Sequence, residues 1–306
     1  MTAPLRGVYA PVLTPFDAHL APDAARFIAH CRWLVRSGAG LAIFGTNSEA
    51  ASMSVAERIA LTDQLLDAGI PAASLMPGTG ACALSDAVAL TRHAVARGVP
   101  GVLMLPPFYF KNVSDDGVFA YYAEVIERVG SDALGIYLYH IPQFTQVPIG
   151  LELIERLLAR YPNTVRGAKD SSGDWANAKA MIERFSARGF AVFPASESLL
   201  SRSLALGGAG CISATVNMNP AGIRALFDGW NTERGAALQA SADAVRSIFQ
   251  SAPMIPAMKR VLAEFARDPA WRTVRPPLCA LDDSSAARVL AELREAGFDM
   301  PGYPGS

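Results

Sequence analysis

No C-x-x-C pair, no H-E-x-x-H run, no Gly-rich phosphate turn and no excess of positive charge occurs in this chain of 306 residues. Each absence closes a class of function. The four cysteines, Cys31, Cys82, Cys211 and Cys279, stand far apart, which argues against a zinc ribbon or a disulfide scaffold and leaves reduced core thiols as the expectation. The four histidines, His19, His30, His93 and His140, form no carboxylate-flanked cluster, so neither a metal nor another cofactor is expected. Lys+Arg 27 against Asp+Glu 28 leaves a net charge of −1, without the basic excess that nucleic acid or an anionic membrane attracts. No charged-then-apolar leader is evident, which points to the cytoplasm. The uncharged stretch from Ser203 to Ile223 is long enough to span a bilayer, but Gly207, Gly208, Gly210, Asn217, Asn219 and Pro220 interrupt it. It reads as a buried strand with its turns. Small-molecule chemistry is what remains.

Apolar residues are plentiful, at 51% against 18% charged, enough for a large core. They fall into eight short β-rich runs, at 7–13, 40–45, 72–78, 101–106, 134–140, 164–169, 190–195 and 210–215. Helix-patterned segments separate them, among them 54–68, 84–97, 115–129, 150–160 and 174–187, and Ser54-Val-Ala-Glu57 has the form of a capping box. Eight apolar strands each followed by a helix imply parallel strands buried on both faces, and the closed solution is a (β/α)₈ TIM barrel. An open doubly wound sheet is the alternative, but it usually carries a Gly-rich turn after its first strand, and "PVLTPFDAHL" has none. Gly78-Thr-Gly80 and Gly207-Gly208 read as tight turns. The barrel is assigned to residues 1–223 and is expected to carry the active site. Residues 224–306, mostly helix-patterned, are expected to form an extension packed on it.

In such a barrel the chemistry collects where the strands end. Lysine is scarce, and of Lys111, Lys169, Lys179 and Lys259 only Lys169 closes an apolar strand. A lysine nucleophile has to spend time unprotonated, which burial away from anions favours. The plainer reading is a rim lysine paired with Asp170 or another carboxylate. Tyr139, in "YLYHIP", could pass protons to a neighbouring imine or substrate hydroxyl, or could be a core tyrosine satisfied by a carbonyl. The small polar loop "GTNSE" at 45–49 could hold a carboxylate on hydroxyls and backbone N–H groups.

Taken together, "GTNSE", "YHIP" and "GAKDSSGD", in this order and spacing, resemble the dihydrodipicolinate synthase and N-acetylneuraminate lyase family of pyruvate-type class I aldolases. The resemblance runs from "PVLTPF" at 11–16 through the helical C-terminus. It implies that Lys169 forms a Schiff base with pyruvate or another 2-keto acid, that Tyr139 relays protons with help from Thr46, and that the 46–47 loop, Asn47 included, holds the pyruvate carboxylate. Ile212 would offer a backbone carbonyl. Tyr109 matches a tyrosine that reaches a neighbouring subunit's site, which implies a homotetramer built as a dimer of dimers.

Three departures matter. Asn47 and Ser48 replace the family's threonine and glycine. Phe144 stands where the synthases have an arginine for the carboxylate of aspartate semialdehyde, and a ring cannot supply that fork of donors. Ser196 and Glu197 replace a glycine and an aspartate. The expected activity is therefore cleavage of a 4-hydroxy-2-keto acid to pyruvate and an aldehyde, its reversal, or a related dehydration, with the synthase reaction itself disfavoured. A 2-keto-3-deoxy sugar acid, with Ser196 and Glu197 meeting its hydroxyls, and an aromatic ylidene pyruvate, packed on Phe144, both fit. A 2-keto acid binding protein without turnover and a metal-dependent aldolase are the remaining alternatives.

Overall fold

In the computed structural model, which describes residues 4–305, parallel strands close into a (β/α)₈ barrel. Strands β1 (Gly7–Ala10), β2 (Gly40–Leu41), β3 (Val102–Met104), β4 (Ile136–His140), β5 (Val165–Asp170), β6 (Ala191–Pro194) and β7 (Gly210–Ile212) form two ladders, β2-β1-β7 and β3-β4-β5-β6. The ladders meet at one seam through the Ala209 N–H donating to the Val192 carbonyl at 2.9 Å. At the other seam stands the run expected as a strand at 72–78, and here the outcome differs. Residues Ala72–Ser74 make a 3₁₀ turn, and pairing survives only as bridges from Leu75 to Leu41 and from Gly78 to Leu103. Pro71 and Pro77 explain it, since neither has an N–H to give to a ladder.

Gly78 is not the tight turn its sequence suggested. A Cβ there would collide with the Phe44 carbonyl oxygen, so glycine lets this interrupted strand close against its neighbour. Gly78→Ala is expected to lower stability by about 1–3 kcal/mol, as overpacking does, read as a lower urea midpoint at unchanged m-value.

Among the described residues nine α-helices, one of them the single turn Pro142–Thr145 and the last Pro220–Gly229, accompany the strands, and three more follow at Gly235–Gln250, Met254–Phe265 and Asp283–Glu295. The capping box at Ser54 and Glu57 is formed in both directions. The apolar side chains divide into two layers. Outward-facing strand residues such as Ile136, Leu138, Ala168 and Val192 pack on the helices, while Tyr9, Met76, Leu103, Tyr137, Tyr139 and Phe193 fill the barrel interior. This is period-two alternation, and it sorts the residues around Lys169. Gly167 and Lys169 lie opposite Tyr137 and Tyr139 on β4, while Ala168 and Asp170 face outward. A Cβ at Gly167 would collide with the Ala191 carbonyl oxygen and with the Tyr137 ring. Cys31 and Cys211 are core thiols, as expected, whereas Cys82 and Cys279 are exposed.

Candidate active site

The alternation along β5 decides the first question about Lys169. Asp170, the next residue, points to the opposite face of the sheet, where its carboxylate accepts from the Ser172 N–H at 2.9 Å and the Asn177 amide at 3.0 Å. It is taken, and the rim ion pair does not form. Lys169 is 2% exposed, and among the described residues no carboxylate pairs with it. Its Nζ donates to the Tyr139 hydroxyl at 3.2 Å and lies 4.3 Å from the centre of that ring. The Tyr139 hydroxyl is in turn 3.0 Å from Thr46 Oγ1. Adjacent register on β4 and β5 sets the first contact, and the loop after β2 supplies the second.

That loop is held from several sides. The Gly45 N–H donates to Ser48 Oγ, the Ser48 N–H returns to the Gly45 carbonyl, and Thr14 Oγ1 donates to the Ser48 carbonyl at 2.8 Å. Left-handed backbone falls on Phe44 (φ 59) and Glu49 (φ 56), not on Asn47 or Ser48, so the serine that replaces glycine adds a hydrogen bond without strain. The N–H groups of Thr46 and Asn47 make no hydrogen bond among the described residues and stay available to a ligand oxygen.

The Glu49 carboxylate leaves the loop for the C-terminal extension. It bonds Lys259 Nζ and accepts from the Arg275 N–H at 2.9 Å. Lys259 and Glu49 are both sealed from solvent, with side chains 0% and 1% exposed, and Lys259 also donates to the Thr273 carbonyl. Burial pulls the Lys259 amine down to about 8, against the opposite pull of Glu49. Beside it the Arg275 guanidinium bonds Glu57 and holds that carboxyl down at about 2. The spacing of "GTNSE" signalled none of this.

Lys169, Tyr139, Thr46, Asn47, Ile212 and Phe144 line one cavity of about 680 Å³, within the usual range for a small-molecule site. Its outer wall is not made by the barrel. Pro253 to Pro256 and Pro277 to Asp282 of the extension close it, largely with apolar side chains. Tyr109 lies outside it, 74% exposed and edge-on to the equally exposed Phe110.

Two expected substrate contacts, Ser196 and Glu197, lie outside the cavity lining. Glu197 is fully buried, and its carboxylate is consumed by the Ser213 and Thr215 hydroxyls and by Arg246 Nη1 at 2.9 Å. Ser196 caps the short turn that follows it by accepting from the Ser198 N–H. Neither lines the cavity. The side chain that does is Arg246, on the helix Gly235–Gln250, a residue sequence reasoning missed because nothing in a helical repeat marks which arginine turns inward. Among the described residues no group of three His, Cys, Asp or Glu side chains converges, and no helix is long and apolar enough to cross a membrane.

Comparison with known proteins agrees on one family. The model of the dihydrodipicolinate synthetase family matches residues 4–296. An uncharacterized DapA-like lyase of Chloroflexus aurantiacus is 37% identical over 289 residues, 94% of this chain and 95% of that protein. Among solved structures, dihydrodipicolinate synthase from Agrobacterium tumefaciens superposes with a TM-score of 0.87 at 31% identity, covering 95% of this chain and 99% of that one. YagE of Escherichia coli, a prophage protein of the same family crystallised with pyruvate, also gives 0.87, at 25% identity over 96% of this chain and 99% of its own.

Proposed function

The chain belongs to the dihydrodipicolinate synthetase family and is a Schiff-base lyase of that family, and from this premise we propose that Lys169 is the imine-forming residue for a 4-hydroxy-2-keto acid. One observation carries the reading: a buried lysine, with no carboxylate partner among the described residues, touches a tyrosine hydroxyl in the wall of a cavity of small-molecule size.

The neutral Lys169 amine adds to the C2 carbonyl, and the Tyr139 hydroxyl gives its proton to the departing C2 hydroxyl, so that loss of water leaves a protonated imine and a phenolate ready to accept a proton. That cation accepts the electron pair of the C3–C4 bond as the bond breaks. The proton of the C4 hydroxyl goes to Tyr139, relayed through Thr46, and the aldehyde departs. The resulting enamine takes a proton back at C3, and water hydrolyses the imine to release pyruvate. Run backwards, the same steps make the aldol addition. The Thr46 and Asn47 N–H groups hold the C1 carboxylate, and the Ile212 carbonyl faces the reacting carbons.

Tyr139→Phe removes the shuttle and leaves the nucleophile. Its kcat is expected to fall about 10²- to 10⁴-fold, while pyruvate still becomes trapped on Lys169 by borohydride. Equal loss of turnover and trapping would show that the tyrosine shapes the lysine and moves no proton.

For the second half of the substrate, 2-keto-3-deoxy sugar acids are the proposed class. An aromatic ylidene pyruvate is the second reading, favoured by Phe144, Ile141, Leu278 and Leu281 along the same cavity. The contact of Tyr139 with both Thr46 and Lys169 favours turnover over binding alone. We assign Tyr109 to a neighbouring subunit's site in a dimer of dimers, a role supported by its exposure together with Phe110.

A further inference from the structure

Arg246 reaches the cavity from the C-terminal extension, and half of its guanidinium is already committed. Nη1 donates to Glu197 Oε2 and to Ser213 Oγ, both at 2.9 Å. Glu197 in turn has every contact it needs, with Thr215 on one oxygen, Ser213 and Arg246 on the other, and its own carbonyl accepting from Gln239 at 3.0 Å. The buried carboxylate therefore acts as a clamp that fixes the arginine, and it stands outside the cavity lining where a substrate hydroxyl would sit.

The other half of the guanidinium is uncommitted. Nε and Nη2 have no hydrogen-bond partner among the described residues, although the side chain is only 12% exposed and lines the cavity. That edge meets the solvent of the cavity, where a ligand oxygen can take the place of water on it. The Nε–Nη2 edge presents two parallel N–H donors, the fork that matches a carboxylate. Phe144 closes the β4 side of the same cavity and supplies no donor, while Arg246 stands on the β6–β7 side, against Ser213 and Glu197. The aromatic at 144 thus says where a second carboxylate does not bind, and the guanidinium across the mouth says where it does.

We infer that Arg246 is the specificity residue for the far end of the substrate and that it binds a second carboxylate there. The inference rests on the Schiff-base reading for the near end. It narrows the substrate to a dicarboxylic 2-keto acid, whose cleavage releases pyruvate and an aldehyde that is itself an acid. A reaction that oxidises or dehydrates a sugar-derived diacid would supply such a compound.

Two 4-hydroxy-2-keto acids of equal carbon count, one ending in a carboxylate and one in a hydroxymethyl group, separate the possibilities. The unaltered enzyme is expected to prefer the diacid by on the order of 100-fold in kcat/KM. Arg246→Lys keeps a cation beside Glu197 but lacks the fork, and Arg246→Gln lacks both. Each is expected to lose most of that preference, through KM more than kcat. Pyruvate trapping on Lys169 reports in each variant that the barrel and the nucleophile are intact. An unaltered enzyme that treats the two acids alike, or variants that lose both acids equally, would overturn the role of Arg246. Calorimetric titration with the reduced 2-hydroxy forms of the same acids, which cannot form an imine, reads the arginine without the lysine. A diacid preference there with no trapping would sink the Schiff-base reading alone, and no preference there would sink the inference alone.

Discussion

Lys169→Ala is expected to lower turnover by on the order of 10⁴- to 10⁶-fold, as loss of a covalent nucleophile does. The same variant should take up no stable mass when pyruvate and borohydride are added, whereas the unaltered enzyme gains one adduct on Lys169. An adduct that persists in the variant would place the imine on another amine. The fold should barely register the change. Lys169 is buried beside a tyrosine ring with no carboxylate partner among the described residues, so removing it takes a poorly satisfied polar group out of an enclosed place while leaving a modest void. Stability within about 1 kcal/mol of the unaltered protein is the expectation, and a small gain would fit the usual exchange of stability for function at active sites. Urea unfolding checks this independently of activity.

Lys259→Met is expected to do the reverse. Lys259 is as deeply buried as Lys169, but its amine is bonded to Glu49, and the methionine would leave that carboxylate enclosed with only the Arg275 N–H. Breaking a buried pair from one side costs about 3–5 kcal/mol. The urea midpoint should fall accordingly, and the second change Glu49→Leu should restore part of it by removing the stranded charge. A double variant no more stable than Lys259→Met would mean that the pair is not the source of the loss. Activity should fall as well, because Glu49 ends the loop that brings Thr46 to Tyr139. Pyruvate trapping should persist, since the Lys169 strand is untouched. Two buried lysines therefore separate by readout, one dispensable to the fold and required for imine trapping, the other required for the fold and dispensable to trapping.

Much of the architecture was legible because it depends on local periodicity. The alternation of strand and helix patterns, the capping box at Ser54 and the helix over 115–129 are short-range features, and the structure reproduces them. The run at 72–78 was less legible, because its apolar content suggests a strand while its prolines remove the donors a ladder needs. Gly78 was misread for a related reason. A glycine required by a neighbour's carbonyl looks the same in sequence as one required by a turn.

The site divides along the same line. Lys169, Tyr139 and Thr46 could be named in advance because each follows directly from the end of a strand, where position in the chain dictates position at the barrel mouth. Glu197 also follows a strand end, yet it turns away, because two hydroxyls and an arginine from distant segments offer it better partners than solvent does. What the sequence determined by itself was the barrel and the strand-end placement of Lys169, Tyr139 and the 45–49 loop, all set by patterns a few residues long. Only the tertiary structure decided what faces the far end of the substrate. That wall is built by Arg246 and the 253–256 and 277–282 segments, and their inward faces exist only once the C-terminal helices have docked.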